Sequence, residues 1–249
     1  MDTQVDWWRT FFSGLMVESW LLSATTEETR QDADFIRESL GVPPPAKLLD
    51  VPCGGGRHSV ALAGLGYDMT GVDISTDFLT AARTLSAGKP DKTTWEQREM
   101  RDLPWPDGFD GAYSFGNSFA YLDEAGNAAF LKSVAAALKP GARFVLDTSY
   151  VTEVILPVLQ DRAEYPTGDM VMLAERHYEP AESRLHVNYT FTRGTETEKQ
   201  SMSARIYSYR ELVSLLDGAG FTAIKGYGSL ARVPFRLRSG RALMVATKR

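Results

Sequence analysis

Apolar residues crowd the start of the chain at helix-like spacing: Trp7, Trp8, Phe11, Phe12, Leu15, Met16 and Trp20. That pattern predicts helices up to Gly41, with Thr25-Thr26-Glu27-Glu28 ahead of Phe35-Ile36 reading as a helix start. Gly41-Val42-Pro43-Pro44-Pro45 stops the last of them and forms a stiff connection.

From Lys47 short apolar runs alternate with helical segments. Strands are expected at Lys47–Val51, Asp68–Asp73, Thr93–Arg98, Phe109–Phe115 and Ala142–Asp147. Helices are expected between them at Arg57–Leu65, Asp77–Ala87 and Asp123–Leu138, the last ended by Lys139-Pro140-Gly141. This order implies βαβ units and a mainly parallel sheet. After Tyr150 the texture changes. Met170–Tyr178, Leu185–Arg193 and Glu198–Tyr207 are rich in Val, Tyr, Thr and Phe and are joined by turn-prone pieces, which predicts an antiparallel insertion. Helix Arg210–Ala219 and strands Thr222–Tyr227 and Arg241–Thr247 then complete the alternation. The expected fold is α/β: a doubly wound, mostly parallel seven-stranded sheet, Rossmann-like, with an antiparallel β insertion before the last helix.

With 249 residues, 43% hydrophobic and 24% charged, the chain has room for one large domain plus that insertion. Its net charge is −5 and no Lys/Arg-rich block stands out, so neither a nucleic acid nor an anionic membrane is an expected partner. The single cysteine, Cys53, excludes an internal disulfide and a multi-thiolate metal site. His58, His177 and His186 are far apart in sequence, and no metal is expected. Acids at Asp2 and Asp6, and Glu18 inside the apolar stretch Thr10–Leu22, fit neither a signal peptide nor a membrane span, so a cytoplasmic location is expected.

The strongest chemical signal is Leu49-Asp50-Val51-Pro52-Cys53-Gly54-Gly55-Gly56-Arg57-His58, where a strand ends and a helix begins. Glycines there let backbone approach a ligand closely. A dinucleotide loop reads G-x-G-x-x-G so that a pyrophosphate can sit on the helix N-terminus. Here Ser59 holds the third glycine slot, and Asp50 stands at the mouth of the loop, where a carboxylate repels phosphate and suits a cationic ligand. Asp73, at the tip of the next strand in Gly71-Val72-Asp73-Ile74-Ser75, can accept hydrogen bonds from both hydroxyls of a ribose. After the third strand, Glu99 and the backbone of Met100 can bind an adenine edge, with Asp102 as the rival acid and Arg98 and Arg101 as ion-pair partners.

These runs, with Leu138-Lys139-Pro140-Gly141, resemble class I S-adenosylmethionine-dependent methyltransferases over roughly residues 45–149 and 208–248. Pro52 replaces the family's usual glycine, as in a subset with a Pro-Cys-Gly core. The resemblance implies S-adenosylmethionine as cofactor and S-adenosylhomocysteine as product. It implies Asp50, Gly54 and Gly56 at the methionine part, Asp73 at the ribose, Ile74 against the adenine and Glu99 with Met100 at the adenine edge. Phe115-Gly116 is expected to meet the methionine amino group, while Pro52, Cys53, Arg57, Asn117 and Trp20 complete the expected cofactor site. Phe11, Phe12 and Leu15 are assigned to the core.

The segment Gly116-Asn117-Ser118-Phe119-Ala120 lacks the Asn/Asp-Pro-Pro-Tyr form of DNA and glutamine-amide methylases and is similar to that of small-amine N-methyltransferases. It implies methylation of a small molecule, on nitrogen ahead of oxygen. An oxygen acceptor would need a base, and His58 is the nearest candidate by sequence. The expected organisation is a helical lid at 1–45, the cofactor-binding core at 46–149, an insertion at 150–207 walling the acceptor pocket, and completion of the core at 208–249. Three rivals stay open: an NAD-dependent dehydrogenase, a silent cofactor-binding regulator, and a protein methyltransferase. The oligomeric state is left open, a homodimer included.

Overall fold

A computed structural model describes residues 6–89 and 92–249; Asp2 lies outside them. Three helices come first: α1 (Trp8–Phe11), α2 (Gly14–Leu22) and α3 (Thr26–Leu40). Thr25 and Glu28 form a reciprocal capping box at the start of α3, and Gly41, at φ 67°, ends it. The alternating region follows as β1 (Lys47–Asp50), α4 (Arg57–Ala63), β2 (Asp68–Asp73), α5 (Thr76–Ser86), β3 (Thr93–Gln97), β4 (Phe109–Ser114), α6 (Glu124–Ala137) and β5 (Leu138–Thr148). The short α7 (Thr152–Ile155) leads into β6 (Arg162–Thr167), β7 (Met170–Glu179), β8 (Arg184–Arg193) and β9 (Glu196–Arg205). The chain then returns to the first sheet through α8 (Tyr209–Gly218), β10 (Phe221–Tyr227) and β11 (Ala242–Lys248).

The main sheet has seven strands in the order β10-β11-β5-β4-β1-β2-β3. All neighbours run parallel except β11, which is antiparallel to both β5 and β10. Successive residues of its central strands feed opposite faces, as a pleated strand requires. Leu48, Tyr113, Val145 and Leu243 join Phe35, Ile36 and Leu62 on the side of α3 and α4. Leu49, Ala112, Phe144, Leu146 and Met244 join Phe130, Val134, Leu212 and Leu216 on the side of α6 and α8. Burying both faces explains the near-continuous apolar runs of these strands.

The insertion is a separate antiparallel sheet, ordered β6-β7-β8-β9. The residue pattern anticipates three of its strands. β6 escapes it because Arg162, Glu164 and Pro166 give no apolar alternation, a composition that suits an edge strand. The inner face, with Ala174, Val187, Tyr189, Phe191 and Met202 buried, packs against Trp7 and Phe11 of the first helices. No helix among the described residues is long and apolar enough to cross a membrane.

Helix α2 joins the two sheets. Ser13, at its N-cap, makes no side-chain cap. Orphan amides at the helix start are taken by distant carboxylates instead: Leu15 N–H donates to Glu198 of β9 at 2.8 Å, and Gly14 N–H donates to Asp77 of α5 at 3.2 Å. Arg193 of β8 adds an ion pair to Glu18 at 2.6 Å. Glu198→Ala is expected to lower the unfolding free energy by about 1 kcal/mol, the usual cost of a lost N-cap acceptor. Urea denaturation would show it, and Glu198→Gln, which keeps an acceptor oxygen, should recover most of the loss.

Candidate active site

The loop after β1 is suspended between its two neighbouring strands. Val51 N–H donates to the Tyr113 carbonyl of β4 at 3.0 Å, and Cys53 N–H to the Val72 carbonyl of β2 at 2.8 Å. Gly54 N–H then donates to Asp73 Oδ2 at 2.8 Å, while Asp73 Oδ1 accepts from Ser75 N–H at 2.9 Å. Asp73 is thus clamped at the loop with 5% of its surface exposed, and burial pushes its pKa up to about 6.

The loop glycines do different jobs. At Gly54, φ is 53° and a Cβ would meet only open space, so the backbone there faces the cleft bare. At Gly56, φ is 75° and a Cβ would run into the Trp95 ring and Ala82. Gly71 on β2 faces the same indole. Gly55 lies under Leu21 of α2, whose side chain would have to move to admit a Cβ there.

An open cleft of about 1740 Å³ runs along this loop. Pro52, Cys53, Gly54, Arg57, Asp73, Ile74, Glu99, Met100, Phe115 and Gly116 line it, and Trp20 stands at its wall, 36% exposed. Asp50, Gly56 and Asn117 do not line it. Asp50 lies beneath the loop, where its Oδ2 accepts from Ser59 Oγ at 2.7 Å and from the Tyr113 hydroxyl at 3.0 Å. Burial pushes its pKa up to about 7. Ser59 in the third glycine slot therefore has a bonding role. Asn117, at φ 67°, is a turn residue: its Oδ1 accepts from Ser149 N–H at 2.7 Å and its carbonyl from the Tyr121 hydroxyl at 2.9 Å. Glu99 is both a cleft residue and the ion-pair partner of Arg101, at 2.8 Å, whereas Asp102 pairs with Arg98.

One end of the cleft is charged. Asp32 of α3, buried, receives Arg57 Nη2 at 2.8 Å and Arg241 Nη1 at 3.4 Å, and His58 Nε2 lies 3.1 Å from it. Arg241 also binds Asp147 at the end of β5, and Asp147 accepts from Gly116 N–H at 2.9 Å. The Arg241 guanidinium lies over the Phe115 ring at 4.8 Å. Sequence reading missed Asp32, Asp147 and Arg241. Asp147 alone carried a local signal, since it is a strand-tip acid like Asp73. Burial lowers the His58 pKa, and its Nε2 faces Asp32, so it is a buttress of this network and not a free base.

A family model described as a methyltransferase domain matches residues 48–141. Rat (Rattus norvegicus) glycine N-methyltransferase is 34% identical over 115 residues, covering 41% of this chain and 39% of the relative. A ubiquinone biosynthesis O-methyltransferase of Xanthomonas campestris pv. campestris is 27% identical over 180 residues, 70% of this chain and 71% of the relative. Among solved structures, the S-adenosylmethionine-bound amino pentose methyltransferase CalS10 from Micromonospora echinaspora superimposes with a TM-score of 0.72 at 20% identity, covering 95% of this chain and 98% of that one. Residues 48–141 carry a methyltransferase domain, and the chain shares its fold with this S-adenosylmethionine-bound enzyme. The chain spans less than half the length of the first curated relatives it matches.

In this methyltransferase domain the acids at the loop are held against their ordinary ionisation. The Asp50 carboxyl ionises near 3.8 when unburied and near 7 when folded. Its contribution to stability is therefore whole below about pH 4 and is lost as pH rises through about 7. Asp50→Asn, whose amide oxygen can accept from both Ser59 and Tyr113, should match the parent in urea unfolding near pH 4. Near pH 8 it should be more stable, by on the order of 1–3 kcal/mol. Equal stability at both values would remove the buried acid from this account.

Proposed function

We propose that the protein transfers a methyl from S-adenosylmethionine to the nitrogen of a small-molecule amine. In this reading Asp73 receives the ribose hydroxyls, Ile74 and Met100 flank the adenine with Glu99 at its edge, and Gly54 and Gly116 border the methionine part. Pro52 and Cys53 form the floor, Trp20 the cover, and Arg57 the charged end. Asp50, Gly56 and Asn117 act through the loops they brace. When bound, S-adenosylmethionine supplies a methyl on a positively charged sulfur.

The observation that carries nitrogen over oxygen is the character of the side chains beyond β4. Tyr121, Tyr150 and Tyr189 gather there, each 8% exposed. Burial raises the pKa of all three, Tyr189 up to about 12. Among the described residues no carboxylate or imidazole is hydrogen-bonded to any of them. These phenols stay protonated; Tyr121, which lines the cleft, can orient an acceptor, but none of the three can take its proton near neutral pH. A neutral amine needs only alignment, with its lone pair aimed at the methyl carbon as the carbon–sulfur bond breaks; a hydroxyl needs a base. The N-methylating relative and the amino pentose methyltransferase support this choice, and the O-methylating relative supplies the alternative.

Turnover with matched amines and alcohols, read by mass spectrometry, tests the proposal. Amines should be methylated, with a rate that rises with pH as the acceptor loses its proton, and the alcohols should be inert. Methylation of alcohols alone would overturn the nitrogen assignment. For the cofactor half, Asp73→Ala should weaken S-adenosylhomocysteine binding at least about tenfold in calorimetry, because a charge-assisted hydrogen-bond acceptor is lost. Unchanged affinity in a folded variant would remove Asp73 from the site.

A further inference from the structure

The link between the first two helices is bolted down beside Asp73. α1 ends at Phe11, and Phe12 leaves the helix at φ −87° and ψ 71°. Gly14 turns the chain into α2 at φ 57°, where a Cβ would collide with the Glu198 carboxylate. Two hydrogen bonds tie this link to the turn between β2 and α5. Ser75 Oγ donates to the Phe12 carbonyl at 2.6 Å, and Gly14 N–H donates to Asp77 Oδ2 at 3.2 Å. Ser75 also donates its backbone N–H to Asp73. The residues that hold the link are therefore chain neighbours of the carboxylate assigned to the ribose.

The ring carried by this link is not a core ring. Spacing alone assigns Phe12 to the core with Phe11 and Leu15. Those two are buried, whereas Phe12 is partly exposed and lines the cleft. The break at the end of α1 takes it out of helical phase with them. Its ring centroid lies 5.9 Å from that of Phe78 and 5.7 Å from that of Tyr121, both cleft residues. Ile74 and Met100 are likewise apolar, partly exposed and cleft-lining, and all three pack on one core cluster. Apolar faces left open inside a cleft favour a flat, largely apolar ligand group. Trp20 does not compete for this place: it stands near the other end of α2, next to Leu21, which rests on Gly55.

We infer that Phe12 is a cofactor contact: its ring packs against the adenosine part of S-adenosylmethionine beside Ile74, and Ser75 is the positioning residue that fixes it there. This rests on the placement of the ribose at Asp73 proposed above, and adds a contact from outside the α/β core. Covering the open face of the ring with the nucleoside supplies affinity. Because the link is already bolted, little chain order is lost when the contact forms.

Calorimetric titration with S-adenosylhomocysteine and with 5′-methylthioadenosine, which keeps the nucleoside and lacks the amino acid, tests the contact without turnover. Phe12→Ala should weaken both ligands at least about tenfold and by similar factors, and Phe12→Leu should weaken both about threefold. Parent-like affinity for both in either variant, with its urea transition intact, would overturn the inference. So would a loss confined to S-adenosylhomocysteine, which would put the ring at the amino-acid end. In stopped-flow, Ser75→Ala should raise the S-adenosylhomocysteine dissociation rate by about three- to tenfold. Ser75→Thr, which keeps the hydroxyl, should restore the parent rate. An unchanged rate in Ser75→Ala would overturn the positioning role. Equal binding by parent and Phe12→Ala sinks the contact alone and leaves the cofactor site standing; failure of the parent to bind S-adenosylhomocysteine would remove both.

Discussion

The indole of Trp95 occupies the volume that side chains at Gly56 and Gly71 would need. β3 supplies the ring, β2 and the start of α4 supply the bare backbone, and Trp95 Nε1 donates to Ser86 Oγ at 3.1 Å to fix the ring's tilt. A side chain at either glycine would collide with the ring and press α4 or β2 away from it. Because interiors are close-packed, such a shift cannot be absorbed locally. The close approach of α4 and β2 thus rests on two bare glycines against one aromatic ring on an edge strand.

Helix α2 plays a second organising part. Its N-terminus is anchored by carboxylates from α5 and from β9 of the insertion, while Leu21 near its other end rests on Gly55. One rigid helix therefore registers the insertion against the loop that borders the cleft. Of its exposed apolar tip, Trp20, Leu21 and Leu22, the first two line the cleft.

Much of this was legible in the sequence, for physical reasons that differ by element. The parallel strands declared themselves because burial on two faces demands unbroken apolar runs, and the helices between them because caps and glycine stops are local chemistry. Asp73 was legible because a strand-tip acid and a glycine loop come in a fixed order. Asp50 was misjudged in position: an acid at a loop mouth and an acid beneath it look alike until Ser59 and Tyr113 are seen to bind it. The charged end of the cleft left no trace beyond the place of Asp147 at a strand tip, since Asp32, Asp147 and Arg241 come from three distant segments. β6 was silent because an edge strand needs no apolar face.

The Asp32–Arg241 contact also sets an order in time. The two residues are 209 positions apart, and β11, which follows Arg241, lies between β5 and β10. At about 5–20 residues per second a ribosome takes roughly 10–40 s to travel that far. Until Arg241 and β11 are made, β5 has an open edge on that side, and Asp32 can be answered only by Arg57 and His58. The sheet can close, and the charged end of the cleft can be assembled, only after that segment has been made.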